Sequence, residues 1–181
     1  MDELVLEAQG KMNKSIDALG ESLATLRTGR ASPSMLNNVE IDYYGSPTPI
    51  NQVASISVPE PRQLLIKPYD KNDVKSIINA INLANLGLNP INEGTQVRLL
   101  IPVLTEERRK EIVKKARKYA EETKVAIRNI RRDYMDFVKD SDDMSEDYQK
   151  RVTTDIQKVT DEAIKSVDSL LENKEKEIMS I

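Results

Sequence analysis

The sequence predicts an α+β fold in which an elongated three-helix bundle carries an inserted small β/α/β domain. Two patterns predict it: three amphipathic helical stripes, one near the start of the chain and two at its end, and a block of short β-type segments between the first stripe and the second. A third observation is the side-chain inventory. With 4% aromatic residues and no Trp, the chain suits long aliphatic seams better than a thick sandwich core. At 181 residues it has room for one domain or two small ones.

The first stripe consists of Val5, Met12, Ile16, Leu19, Leu23 and Leu26, which recur at intervals of three, four and seven. That spacing places them on one side of a helix expected over residues 3–28. Gly29 and Pro33 should end it, because one tolerates positive φ and the other lacks a backbone donor.

From Asn38 to Pro102 the period changes. Val39, Ile41 and Tyr43 alternate with polar residues, residues 53–58 are rich in β-branched side chains, and residues 63–67 and 96–101 are short apolar runs. Four or five strands are expected here. Among them, Asp70 and Asp73 are placed to cap a helix carrying Val74, Ile77, Ile78 and Ile81 on one face, with Gly87 as its stop. Tyr43-Tyr44-Gly45-Ser46-Pro47 reads as a strand ending in a turn, its rings either exposed to stack on bases or, the favoured reading, packed within the small module.

Thr105 is a suitable N-cap for the next helix, and Glu106 and Glu107 follow where the helix dipole favours anions. Ile112, Ala116, Tyr119, Thr123, Ile127, Ile130, Tyr134 and Phe137 form its seam, and Val152, Ile156, Val159, Ala163, Val167 and Leu170 form that of the last helix. Both helices should exceed roughly 30 residues, on the order of 45 Å each. Three one-striped helices satisfy one another as a bundle.

The bundle therefore takes residues 1–29 and 105–181, and the inserted domain takes 31–103. Two crossings join them: Gly29, Arg30, Ala31, Ser32 and Pro33 on one side, and Pro102, Val103, Leu104 and Thr105 on the other. A double crossing makes a hinge of restricted direction, unlike a single tether.

The chain has no Cys and no His. The first absence removes disulfides and thiolate metal sites, and the second removes the commonest general base and metal ligand. No catalytic residue, metal or cofactor is expected. Asp140 to Asp147 has the acidity of a calcium loop, but Ser145 and Arg151 occupy the places where such a loop needs Gly and a bidentate Glu; the segment reads as a solvated interhelical turn. The start, MDELVLEAQG, lacks the basic and apolar regions of a signal peptide, and no apolar run approaches a membrane span. The expectation is a cytoplasmic protein, monomeric, with no membrane partner.

The formal net charge of -3 hides a strong asymmetry. Residues 1–97 carry 8 Lys/Arg and 11 Asp/Glu, residues 98–132 carry 12 and 5, and residues 133–181 carry 7 and 14. A segment of +7 inside an acidic chain would offer a polyanion a single face. On the helix after Pro102, Arg117, Lys124, Arg128 and Arg131 align at three-and-four spacing, with Lys114, Lys115, Lys118 and Arg132 beside them. Such a face neutralises RNA phosphates, or it is a solvated surface with salt bridges to Glu121 and Glu122. Arg27 and Arg30 suit the negative end of the first helix dipole and lie near the expected junction, where they too could meet RNA.

The stretch RTGRASPSMLNNVEIDYYGSPTPI at 27–50, LGLNP at 86–90 and LTEERRKEIVKKARKYAEETKVAIRNIRRDYMD at 104–136 together resemble the ribosome recycling factor family, in the family's order. Tyr134, where small residues are common, and the acidic interhelical segment depart from its pattern. The resemblance implies a two-domain, L-shaped molecule compared with transfer RNA, bound between the subunits of a post-termination ribosome. It further implies contact with large-subunit ribosomal RNA, and splitting driven by elongation factor G with GTP, followed by an initiation factor. Carried over by motif, it assigns RNA contact to Arg27, Arg30, Arg128, Arg131 and Arg132. The rival class is a coiled-coil adaptor or chaperone-like module whose seams bind protein helices.

Overall fold

The structure, a computed structural model, describes residues 2–180. It divides into two compact units: the chain through Thr28 together with the chain from Glu106 onward, and Gly29–Thr105.

In the first unit, helix α1 spans Glu3–Ala24, α4 spans Glu106–Lys139 and α5 spans Glu146–Met179. Each packs on the other two. At 34 residues apiece, α4 and α5 are each about 51 Å long. The Asp2 carboxylate caps α1 by accepting from Leu4 N at 3.0 Å. The helix stops short of the expected residue 28, because Thr25 Oγ1 donates to Ser22 O at 2.6 Å and Leu26 N to Leu23 O at 3.1 Å. Those i to i−3 bonds tighten the last turn and close the ladder.

Val5, Ala8, Met12, Leu19 and Leu23 of α1 meet Ile112, Ala116, Ala120 and Ile127 of α4 and Val152, Ile156, Val159 and Val167 of α5, all buried. Phe137 leaves the expected seam and is 58% exposed; Met135 and Val138 are buried there instead. Both i+3 and i+4 from the buried Tyr134 lie near the same stripe, and the helix turns the i+4 position inward.

The second unit contains β1 (Glu40–Tyr43), β2 (Ser46–Pro49), a short α2 (Ile50–Val53), β3 (Ala54–Glu60), β4 (Gln63–Pro68), α3 (Val74–Leu83), β5 (Asn89–Asn92) and β6 (Val97–Leu100). Strands β1 and β2 form one ribbon; the other four form an antiparallel sheet in the order β3-β4-β6-β5. Leu64 and Ile66 of the interior strand β4 and Val97 and Leu99 of β6 are fully buried against Val74, Ile77 and Ile81 of α3, which packs on β1, β5 and β6. Six strands exceed the four or five expected. The additional β2 and β5 carry Pro47, Pro49 and Pro90, and their place at sheet edges is what tolerates a residue without a donor.

Two smaller expectations are corrected. Asp70 caps a 3₁₀ turn ahead of α3, accepting from Asn72 N at 2.9 Å, while Asp73 makes no side-chain cap bond. The helix ends before Gly87: Asn85, at φ 50°, supplies the left-handed residue that follows the cap.

Tyr43 pairs with Ser46, leaving a two-residue turn of Tyr44 and Gly45 at φ 51° and 82°. Positive φ at both positions is a type I′ turn, whose twist matches the strands. The tyrosines do not pack into the module as expected. Tyr44 is 88% exposed at the tip and Tyr43 37%, their rings meeting edge to face with centroids 4.6 Å apart. A tip residue in a tight hairpin points away from the sheet's core face, so burial is not open to it. Among the described residues, no helix is long and apolar enough to cross a membrane.

Candidate nucleic-acid interface

The basic residues of α4 fall into two groups according to what stands opposite them. Arg117, Lys124 and Arg131 are spaced by seven, so they share one edge of the helix. That edge is turned toward α5. Arg117 Nε donates to Glu175 Oε1 at 2.6 Å, Lys124 Nζ lies 2.6 Å from Asp168 Oδ1 and 3.6 Å from Glu121 Oε1, and Arg131 Nε donates to Gln157 Oε1 at 2.7 Å. The Asp168 carboxylate holds the Lys124 ammonium pKa above its ordinary 10.5, which favours the charged ammonium. The expected salt bridge to Glu121 is present; Glu122 has no ion pair among the described residues.

Arg128 and Arg132 are the second group. Both are exposed. Arg128 makes no hydrogen bond or ion pair with another described residue, and Arg132 makes one long contact, from Nη2 to Asn129 Oδ1 at 3.5 Å. Lys114 and Lys118, also exposed, extend this open surface toward the start of α4, while Lys115 is exposed on another side of the helix. Such a row has uncompensated charge and fork-shaped donors, which is what phosphate oxygens take up.

Arg27 is exposed in the first unit, past the end of α1, and Arg30 is exposed in the second unit. With α1 ending at Ala24, Arg27 lies beyond the last turn, where the helix dipole no longer accounts for it. Next to Arg30, Gly29 sits at φ 78°.

The junction segments are tied to the second unit at two neighbouring points. Ala31 N donates to Pro61 O at 2.7 Å, and Ile101 N donates to Arg62 O at 2.9 Å, so both chain crossings leave from the β3–β4 turn. Ser32 and Pro33 begin a 3₁₀ turn, Ser32 Oγ accepting from Ser34 N at 3.4 Å.

The acidic stretch from Asp140 is the α4–α5 turn. Gln149 Nε2 donates to Val138 O at 3.0 Å and Ser141 O at 2.9 Å, and Ser145 caps α5 by accepting from Tyr148 N at 3.3 Å. Glu146 and Asp147 sit in the first turn of α5, where the dipole favours them. The described residues include no group of acidic side chains arranged to hold a metal ion.

Reading α4 alone missed the other wall of this surface. An open groove between α4 and α5 is lined by Arg131 and Lys139 on one side and Lys158 and Lys165 on the other, with Asp161 and Glu162. Net charge by segment concealed the α5 lysines, because residues 133–181 sum to an excess of acid. The signal that reveals them is the spacing of seven between 158 and 165, which puts them on one edge of α5.

The family model for ribosome recycling factors matches residues 19–179. The ribosome-recycling factor of Staphylococcus carnosus is 51% identical over 184 aligned residues, covering 100% of both chains. A solution structure of a ribosome recycling factor is 41% identical with a TM-score of 0.80, covering 100% of each chain. Models of the T. thermophilus ribosome recycling factor and the E. coli elongation factor G bound to the E. coli post-termination complex include a chain 47% identical, with a TM-score of 0.63 and 98% of each chain covered.

Proposed function

The chain belongs to the ribosome recycling factor family, and from that premise we propose that its bundle anchors on large-subunit ribosomal RNA through the open cations of α4. Its function is ribosome recycling, carried out on the post-termination ribosome with elongation factor G. The observation that carries the anchoring role is the exposure of Arg128 and Arg132 without a carboxylate partner among the described residues. Arg131 joins them from the groove, and Arg27 and Arg30 add contacts near the junction. Arg117 and Lys124 serve mainly to join α4 to α5, since each already faces a carboxylate.

The protein acts mechanically, in the cytoplasm, as a monomer without cofactor or catalytic group; the lack of His and Cys supports that reading. Residues Gly29 and Arg30 and residues Pro102 to Thr105 form the hinge. Ala31 and Ile101 are held by the β3–β4 turn, which supports a pivot confined to the few residues outside those bonds. GTP hydrolysis by elongation factor G would then move the inserted domain while the bundle stays on RNA. An adaptor binding foreign helices has less to offer, because the stripes of α1, α4 and α5 are spent on one another.

Pelleting with post-termination ribosomes tests the anchoring. The logarithm of the binding constant should fall with the logarithm of salt by about 0.7–0.9 per phosphate contacted, and ribosomes should split only when elongation factor G and GTP are added. Salt-independent pelleting would replace the RNA anchor with a protein contact.

A further inference from the structure

We propose that Gln157, oriented by Asp161, is a positioning residue that holds Arg131 for a phosphate in the α4–α5 groove while leaving its charge uncompensated. The inference rests on the reading of Arg131 as an RNA contact. It starts from the contrast along one edge of α4: Arg117 faces the carboxylate of Glu175, Lys124 faces that of Asp168, and Arg131 faces the neutral amide of Gln157.

An amide presents one acceptor and two donors, so which end meets Arg131 must be fixed by something else. Here Gln157 Nε2 donates to Asp161 Oδ1 at 2.8 Å, which turns Oε1 toward Arg131 Nε at 2.7 Å. Asp161 stands one turn along α5 and so selects the amide's orientation without pairing with the guanidinium itself. Both Gln157 and Arg131 are half-buried, and the bond through Nε fixes the plane of the fork. The two terminal nitrogens of Arg131 make no hydrogen bond to another described residue, leaving the bidentate edge for a ligand. Lys139, Lys158 and Lys165 line the same groove together with Asp161 and Glu162, so that with Arg131 the groove's four cations outnumber its two carboxylates and its potential stays positive. A carboxylate at 157 would hold the fork equally well and cancel its charge; the amide holds it and does not.

Four variants test this in the full-length protein, with ribosome affinity measured across a salt series and folding followed by circular dichroism. Arg131→Ala should bind about tenfold more weakly, the loss of one charge-assisted bidentate contact. Gln157→Glu, which keeps the acceptor, should lose a similar factor and lower the salt slope by about one phosphate, about 0.7–0.9; a merely structural role would leave that slope alone. Gln157→Leu, which lacks the acceptor, should weaken binding severalfold in the parent and not at all in an Arg131→Ala background. If Arg131→Ala weakens binding but the Gln157 variants bind like the parent, the positioning role is overturned and the RNA contact stands. If Gln157→Leu weakens the Arg131→Ala protein further, Gln157 acts independently and the proposal is wrong. If Arg131→Ala binds normally, the underlying contact fails and this inference falls with it.

Discussion

Arg117 and Arg131 are the same residue type on the same edge of α4, yet one meets the carboxylate of Glu175 and the other the amide of Gln157. Sequence spacing put both on one face correctly. It could not say what that face would meet, because the facing residues are 58 and 26 positions away in the chain. Arg128 and Arg132 were legible as basic residues, and only packing shows that they are the open ones. A second long-range contact at this scale joins Tyr148 to Asp2, the phenol donating to Asp2 Oδ2 at 2.7 Å with the Arg151 guanidinium 5.4 Å from the ring centre. The phenol's bond holds the Asp2 pKa below its ordinary 3.8, and the carboxylate pushes the Tyr148 pKa above 10.0. A lowered Asp2 value stabilises the fold above the ordinary carboxylate range and ceases to as pH falls through the lowered value. A raised Tyr148 value stabilises it below pH 10.0 and ceases to as pH climbs through the raised one. Tyr148→Phe should therefore melt at a lower temperature than the parent at neutral pH, and the gap should close in acid. Circular dichroism melts at several pH values check this; a gap that persists once Asp2 is protonated would mean the ring packs differently from the phenylalanine.

Individual elements were readable where a regular period extended over many turns. The apolar stripes of α1, α4 and α5 named most of the bundle core in advance, since any residue at that spacing must share a face whatever the partner. Strands β2 and β5 were invisible because proline argues against a strand unless its edge position is already known. Core substitution tests the bundle: Ile127, at 0% exposure, changed to Ala should lose about 2–5 kcal/mol in denaturant melts, the expected range for a buried cavity of this size. The hairpin gives an opposite sign. Tyr44 occupies a left-handed turn position at φ 51° while 88% exposed, where Asn before Gly is the preferred pair. Tyr44→Asn should raise the stability of the second unit by up to about 1 kcal/mol; a loss would show that the Tyr43–Tyr44 ring contact outweighs the backbone preference.

At the scale of the whole molecule the chain divides into two compact units, and a change of period together with Gly29, Pro33 and Pro102 is what places the proposed crossings in the sequence. The residues on either side were harder to read, because the bonds from Ala31 and Ile101 to the β3–β4 turn link segments far apart in the chain. The proposed hinge predicts motion during recycling. With no native Cys, dyes attached through Ser166→Cys on α5 and Lys71→Cys ahead of α3 should report a change in energy transfer when elongation factor G and GTP reach the ribosome-bound protein. A constant value throughout splitting would make the molecule a rigid wedge.

Whether the cations of α4 left without carboxylate partners anchor the protein on ribosomal RNA is decided by comparing two double variants for ribosome affinity at fixed salt. Arg128→Ala with Arg132→Ala should bind at least about tenfold more weakly than the parent, as expected for losing two phosphate contacts, and should split ribosomes poorly with elongation factor G and GTP. Arg117→Ala with Lys124→Ala removes the same formal charge but only cations already facing Glu175 and Asp168, and its affinity should stay within about twofold. Equal losses from the two pairs, or a larger loss from the second, would contradict the account.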